Sequence, residues 1–358
     1  MPWDQLAEKP DRRRLRGGML PWLIVPLVAG LALMAYLSPL GPAPSRAAAA
    51  PINAVATVGM VGDVVAEIGG ACVNVTTLMG PGIDPHTYRA SARDLRAMQG
   101  ADIIFYAGLT LEGQLADVLD RLAARRPTVA VSEAAVPPAR LMEANDDRFG
   151  MDPHVWMDVS LWALIADVVR DTLAQLAPEC EAQLDQRAAA YKLQLAALHQ
   201  WVKESIASLP AHRRVLVTAH DAFFYYGRAY GLEVHGIQGI STDAEAGLAD
   251  IRATADLVIQ RQVPAIFVES SVNPRNIEAV QAAVRARGGA VEIGGELYSD
   301  ALGQPGTWRG TYIGMLVHNT ATIVEALGGQ VPPLPAALAD WAARWQVPLP
   351  VAAPGEDG

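Results

Sequence analysis

Two short segments set a histidine directly behind an Asp-Pro pair, Asp84-Pro85-His86 and Asp152-Pro153-His154. Proline drives the residue before it toward an extended conformation. The imidazole then sits on a stiff turn with little rotational freedom left to lose on binding. The neighbouring aspartate can also accept the second imidazole proton, which fixes the tautomer and raises ligand basicity. A third histidine, His220, follows the largely β-branched run Val215–Thr218 in the sequence Ala219-His220-Asp221. Ligands of open α/β sheets lie outside the carboxyl ends of strands, so His220 is expected to project into a crevice. A carboxylate is available in Gly294-Gly295-Glu296-Leu297-Tyr298-Ser299-Asp300, whose glycines are expected to end a strand. Local chemistry does not choose between Glu296 and Asp300 there. Glu269, behind Ile266-Phe267-Val268, is a further carboxylate better suited to a supporting place. Three imidazoles with one carboxylate suit Zn(II), Mn(II) or Fe(II) and disfavour Cu(I), which prefers sulfur.

Four histidines are set apart by context. His199 lies among alanines in a long helical stretch and reads as surface. His212 stands beside Arg213 and Arg214 in a solvated turn. His235 falls in a short strand, as core or support, and His318 sits inside the last helix with no evident ligand partner.

The elements that must position these residues alternate. Ile52–Val58, Val73–Leu78, Ala101–Tyr106 and Thr128–Val131 read as strands. Gly62–Gly69, a stretch from Ser91 (as N-cap) through Gln99, and Leu111–Ala124 read as helices, followed by a long loop over Pro137–Met151. A helix over Leu161–Leu176 precedes an uninterrupted helical stretch from Glu181 to about Ser208. Leu184, Ala188, Tyr191, Leu195, Leu198, Val202 and Ile206 of that stretch keep to one face. At ~1.5 Å per residue it spans on the order of 40 Å, enough for a rigid spine between lobes, though a surface helix within one lobe fits the pattern equally. A second set follows, with strands at Arg214–Thr218, Glu233–Ile237, Ala265–Val268 and Ala290–Ile293. Its helices are Ala222–Tyr230, Ala246–Gln260, Arg275–Arg287 and Tyr312–Leu327. Such alternation predicts an α/β protein with two lobes, each a mostly parallel sheet flanked by helices. The expected divisions are an N-terminal lobe over 51–180, a linking helix over 181–209, a C-terminal lobe over 210–330 and a proline-rich flexible tail over 331–358.

The first 50 residues read as a targeting segment. Arg12, Arg13, Arg14 and Arg16 form a positive region, Met19–Leu37 an apolar run, and Ser45 to Ala50 a small-residue stretch for cleavage near Ala49 or Ala50. The run is long for a signal peptide, so an uncleaved membrane anchor is the alternative. With no cysteine in this stretch, a lipid-anchored mature terminus is not expected, and the segment points to export. A net charge of −10 argues against nucleic acid as partner, and 51% hydrophobic residues exclude a mainly disordered chain. Cys72 and Cys180 can form one disulfide in an exported protein, or remain two buried thiols.

The blocks GPGIDPHTYRASARDL, DPHVWMDVSLW, TAHDAFFYYGRAYGLE with IQGISTDAEAG, and GGELYSDALG, in that order, resemble the solute-binding proteins of bacterial ABC importers for manganese, zinc and iron. The resemblance spans about Ala54 to Leu327. It implies two α/β lobes joined by one long rigid helix, with a divalent ion carried between them on His86, His154, His220 and Asp300. It thereby selects Asp300 over Glu296. The implied cargo is Zn(II) or Mn(II), with Fe(II) also compatible. The implied partners are a membrane permease and its cytoplasmic ATPase, and the protein is expected to be a monomer. Strongly manganese-selective members tend to carry glutamate at the position of His220, and zinc-dedicated ones often add a His-rich acidic loop. Pro137–Met151 has Glu143, Asp146 and Asp147 but no histidine, so the sequence is most similar to the mixed zinc/manganese class.

Two other readings use the same residues. A metal-dependent hydrolase would need an open coordination position and a placed general base. Glu296 or Glu269 is available, but no H-E-x-x-H segment occurs. A periplasmic receptor for an organic solute would want an aromatic-lined pocket, and aromatics are few outside Phe223 to Tyr226.

Overall fold

The computed structural model describes residues 50–144 and 150–352. The expected targeting segment up to residue 49, the acidic pair Asp146-Asp147 and the last six residues lie outside that range.

The chain opens with β1 (Ile52–Ala56), α1 (Gly59–Gly69), β2 (Val73–Thr77), α2 (Ala92–Gly100), β3 (Ile103–Tyr106), α3 (Ala116–Ala123) and β4 (Thr128–Ala130). The four strands form one parallel sheet in the order β2-β1-β3-β4. Parallel strands need crossover connections, and the helices supply them while covering the sheet. Ser91 caps α2 as expected. Its hydroxyl accepts from the Asp94 N–H while the Asp94 carboxylate accepts from the Ser91 N–H, a reciprocal capping box. A short α4 (Val131–Ala135) follows β4 directly. Among its described residues, the expected long loop contains a turn of 3-10 helix, Pro138–Arg140, and an antiparallel bridge from Glu143 to Met151.

Next come α5 (Val159–Leu176) and α6 (Glu181–Ala207). Every residue of the predicted apolar stripe on α6 is buried, and Trp201 and Ser205 join it. This helix packs on α1, on α5 and on a later helix of the second half, so it behaves as a spine and not as a surface element of one lobe.

The second half carries β5 (Val215–His220), α7 (Phe224–Tyr230), β6 (Glu233–Gln238), α8 (Leu248–Arg261), β7 (Ala265–Glu269), α9 (Arg275–Ala286), β8 (Glu292–Leu297) and α10 (Tyr312–Ala326). β5 pairs with β6 and β7 with β8, all parallel, and β5 lies beside β7. Elsewhere strand ends shift by a residue or two from their sequence reading, and at β5 and β8 the difference touches the candidate site residues. β5 runs two residues beyond Thr218, so His220 is its last residue rather than the turn after it. Gly294 and Gly295 lie inside β8 and do not end it. A Cβ at Gly294 would come within 2.7 Å of both Phe267 and Ala326. The glycine is therefore needed for close packing of strand and helix, not for a stop.

One apolar core is continuous from the first sheet through α1, α5 and α6 to α7 and α10, and a smaller one lies between β5–β8 and the helices α8 and α9. The expectation of a flexible tail from 331 is corrected for residues up to 352. They form a 3-10 turn, Ala336–Leu338, and α11 (Ala339–Trp345), which bury Leu334, Leu338, Trp341 and Ala342. Prolines suggest loose structure, but Leu334, Leu338 and Trp341 together offer enough apolar surface to dock. Cys72 and Cys180 are joined in a disulfide that ties the start of β2 to the start of α6. Among the described residues no helix is long and apolar enough to cross a membrane.

Candidate metal centre

Four side chains, His86, His154, His220 and Asp300, bring one donor atom each within 4.8 Å of one another. They come from four places. His86 stands on the turn after β2, where Gly82 adopts a left-handed φ of 70° and passes close to the Ser270 carbonyl. His154 precedes the single turn Val155–Met157 that leads into α5. His220 ends β5, and Asp300 follows β8. All four are at most 3% exposed.

The spacing is that of a small coordination shell. His86 Nε2 lies 3.4 Å from His154 Nε2. The Asp300 carboxylate lies 3.4 Å from His154 Nε2, 3.1 Å from His220 Nε2 and 3.9 Å from His86 Nε2. Donors held at about 2.0–2.2 Å from a tetrahedral ion are separated by roughly 3.3–3.6 Å. The set therefore needs only small adjustments to close on one ion.

Electrostatics agree. Burial alone would push the Asp300 carboxyl up, but the facing imidazoles of His220, His154 and His86 reverse that and hold it well below the usual carboxylate range. Neither Asp300 oxygen has a hydrogen-bond partner, nor has His220 Nε2. Buried polar atoms are almost always satisfied, so orphaned donor atoms converging on one point mark a place built for a cation. Burial pushes His86 down to about 3, which keeps its ring neutral and able to donate a lone pair. Burial also opposes the charged form of His220, but the carboxylates of Glu269 and Asp300 outweigh it and raise its pKa well above the usual value.

The supporting groups are unequal. His154 Nδ1–H donates to Asp152 at 2.7 Å, the Asp-Pro-His arrangement expected from the sequence. His220 Nδ1–H donates to Glu269 at 2.6 Å, and Glu269 also accepts from the His220 backbone N–H at 2.9 Å. Asp84 behaves differently. It accepts from the backbone N–H of His86 and from the hydroxyls of Thr87 and Thr242, and leaves His86 Nδ1 without a partner. Thr242 belongs to the loop between β6 and α8, and nothing in its local sequence singles it out.

The remaining candidates lie apart from the cluster. His199 is half-buried against the Tyr230 hydroxyl instead of exposed. His212 is exposed as expected. His235 pairs with Glu233, away from the centre. His318 is held by Arg309 and the Glu296 carbonyl, and the structure brings Asp300, not Glu296, into the group of four.

Residues 54–326 match the profile of the ZnuA family, described as zinc-uptake complex component A, periplasmic. The chain is 48% identical over 273 residues to the zinc-binding protein TroA of Treponema pallidum, covering 76% of this chain and 88% of that one. The solved TroA structure superposes with a TM-score of 0.75 at 47% identity, over 77% of this chain and 99% of that one. The manganese-binding lipoprotein MntA of Bacillus subtilis is 43% identical over 276 residues, 77% of this chain and 90% of MntA. The Fe(III)-bound YtgA structure from Chlamydia trachomatis matches at 25% identity with a TM-score of 0.72, over 78% of this chain and 99% of YtgA. With a family profile covering most of its length and relatives this similar, the chain belongs to the ZnuA family of periplasmic metal-binding proteins.

Proposed function

We propose that this protein captures a divalent transition-metal ion, Zn(II) or Mn(II) with Fe(II) also compatible, on His86, His154, His220 and Asp300, and delivers it to a membrane ABC permease with its cytoplasmic ATPase. The observation that carries the reading is the convergence of three imidazole nitrogens and one buried carboxylate at coordination spacing. Relatives named for zinc, manganese and iron binding support the cargo class. The choice among the metals rests with geometry and supply, because intrinsic affinity alone would favour zinc over manganese.

The ligands come from both halves of the molecule, His86 and His154 before the long helix and His220 and Asp300 after it. That supports lobes over 51–180 and 210–330 with 181–209 as the link. The basic and apolar leader over 1–50 supports export to the periplasm, and a monomer suffices because one chain supplies all four donors. A hydrolase would keep a coordination position open for water. Here four protein donors close around one point, which favours a carrier over an enzyme.

Chelator-stripped protein should melt at a higher temperature when Zn(II) or Mn(II) is added, because a ligand of the native state alone stabilises it by mass action. His86→Ala and Asp300→Ala should each lose most of that shift while still unfolding cooperatively. An unchanged melting curve on adding either metal would end the proposal. Metal-dependent turnover of ester or amide substrates by the same sample would favour the enzyme instead.

A further inference from the structure

Trp156 touches both sides of the metal centre. Its side chain is fully buried. The indole Nε1–H donates to the carbonyl of Ser299, the residue before Asp300, at 2.9 Å. The Trp156 carbonyl accepts from the Tyr312 hydroxyl at 2.7 Å. Its ring stands edge-on to the His154 imidazole, with centroids 5.2 Å apart and planes at 68°. The Ser299 segment is fastened from its other side as well. The Asn319 amide donates to the Tyr298 carbonyl at 2.7 Å and accepts from the Tyr298 N–H at 2.9 Å, and the hydroxyls of Ser299 and Ser271 are 3.0 Å apart.

We propose that Trp156 is a positioning residue that sets the spacing of His154 and Asp300 across the boundary between the two lobes. The inference rests on the metal-capture reading of the centre. His154 belongs to the turn before α5, and Asp300 to the loop after β8. Apart from the facing imidazoles, no group holds either oxygen of the Asp300 carboxylate, so its place depends largely on its backbone. Pinning the carbonyl one residue upstream leaves the carboxylate only its own side-chain torsions. The same indole limits how far the His154 ring can tilt. One side chain thereby sets both partners of the 3.4 Å contact between His154 Nε2 and Asp300. A phenyl ring would keep much of the packing and lose the N–H, leaving the buried Ser299 carbonyl unpaired and free to rotate.

The test is Trp156→Phe in the full chain, loaded with Co(II), whose visible d–d bands report coordination number and symmetry. The expected result is a displaced, altered band pattern and Co(II) release to excess EDTA faster by on the order of 10-fold, the size of effect seen when outer supports of ligands are removed. Tyr312→Phe, which frees the Trp156 carbonyl, should move both readouts in the same direction by less. It decides the matter if Trp156→Phe fails to fold. Bands and release rates unchanged from the native protein overturn the positioning role while leaving metal capture intact. Failure of the native protein to take up Co(II) or Zn(II) overturns both.

Discussion

Asp152 and Glu269 do one job from very different distances along the chain. Each accepts the Nδ1 proton of a histidine and so turns Nε2 toward the shared centre. Asp152 lies two residues from His154, and its role was legible in the Asp-Pro-His spacing. Glu269 is 49 residues from His220, and their meeting depends on β5 lying beside β7. Periodicity within one sequence carries no record of which strands become neighbours. The same Asp-Pro-His spacing misled at His86, where Asp84 turns to the backbone and to Thr242 instead. Asp152→Asn and Glu269→Gln should each weaken Zn(II) binding by roughly 10- to 100-fold, read by competition with a chromophoric chelator. Asp84→Asn should have a smaller effect, because it leaves no imidazole without its acceptor. Equal losses for all three would show that proximity, not tautomer control, governs the site.

Among the elements, the helices were the more readable. The apolar stripe on α6 and the cap at Ser91 follow directly from spacing and side-chain chemistry. The strand β8 was cut short because glycine counts against strand interiors, whereas here Phe267 and Ala326 crowd the position and exclude a side chain. Contacts between elements also create a titration that no local pattern foretells. Asp63 on α1 accepts the Tyr312 N–H at the first turn of α10, and burial pushes its pKa up to about 7. In the unfolded chain an aspartate has lost its proton by about pH 4, so between that point and about pH 7 the native state holds more protons than the unfolded one. Stability contributed through this group is therefore complete below about pH 4 and lost as pH rises through about 7. Asp63→Asn should flatten the decline and gain up to roughly 4 kcal/mol at alkaline pH relative to the native protein. Denaturant unfolding at a series of pH values checks it, and parallel curves for the two proteins would refute it.

For the molecule as a whole, alternation in the sequence foretold an α/β fold, and the family resemblance, not local chemistry, singled out Asp300 among the candidate carboxylates. The cysteines were left undecided, since pairing depends on a meeting 108 residues apart. The Cys72–Cys180 bond closes that span by tying the first sheet to the spine. Cys72→Ser with Cys180→Ser should lower stability by on the order of 4 kcal/mol, as loss of so long a closed loop predicts. Metal affinity should be almost unaffected, since neither cysteine is among the residues that converge on the centre. Calorimetric melting together with a metal titration separates the two effects. A large loss of affinity would mean that the cross-link shapes the site.

The closing stretch of the chain bears on how the protein can be trimmed. Pro332 receives the indole N–H of Trp201 on the spine, Arg344 reaches Glu67 on α1, and Leu334 and Trp341 are buried beneath it all. Yet the family profile stops at residue 326. Cutting at that boundary would remove Leu334 and Trp341 together with the cover they give the spine, leaving the Trp201 indole N–H without its acceptor and baring apolar surface to water, an invitation to clumping.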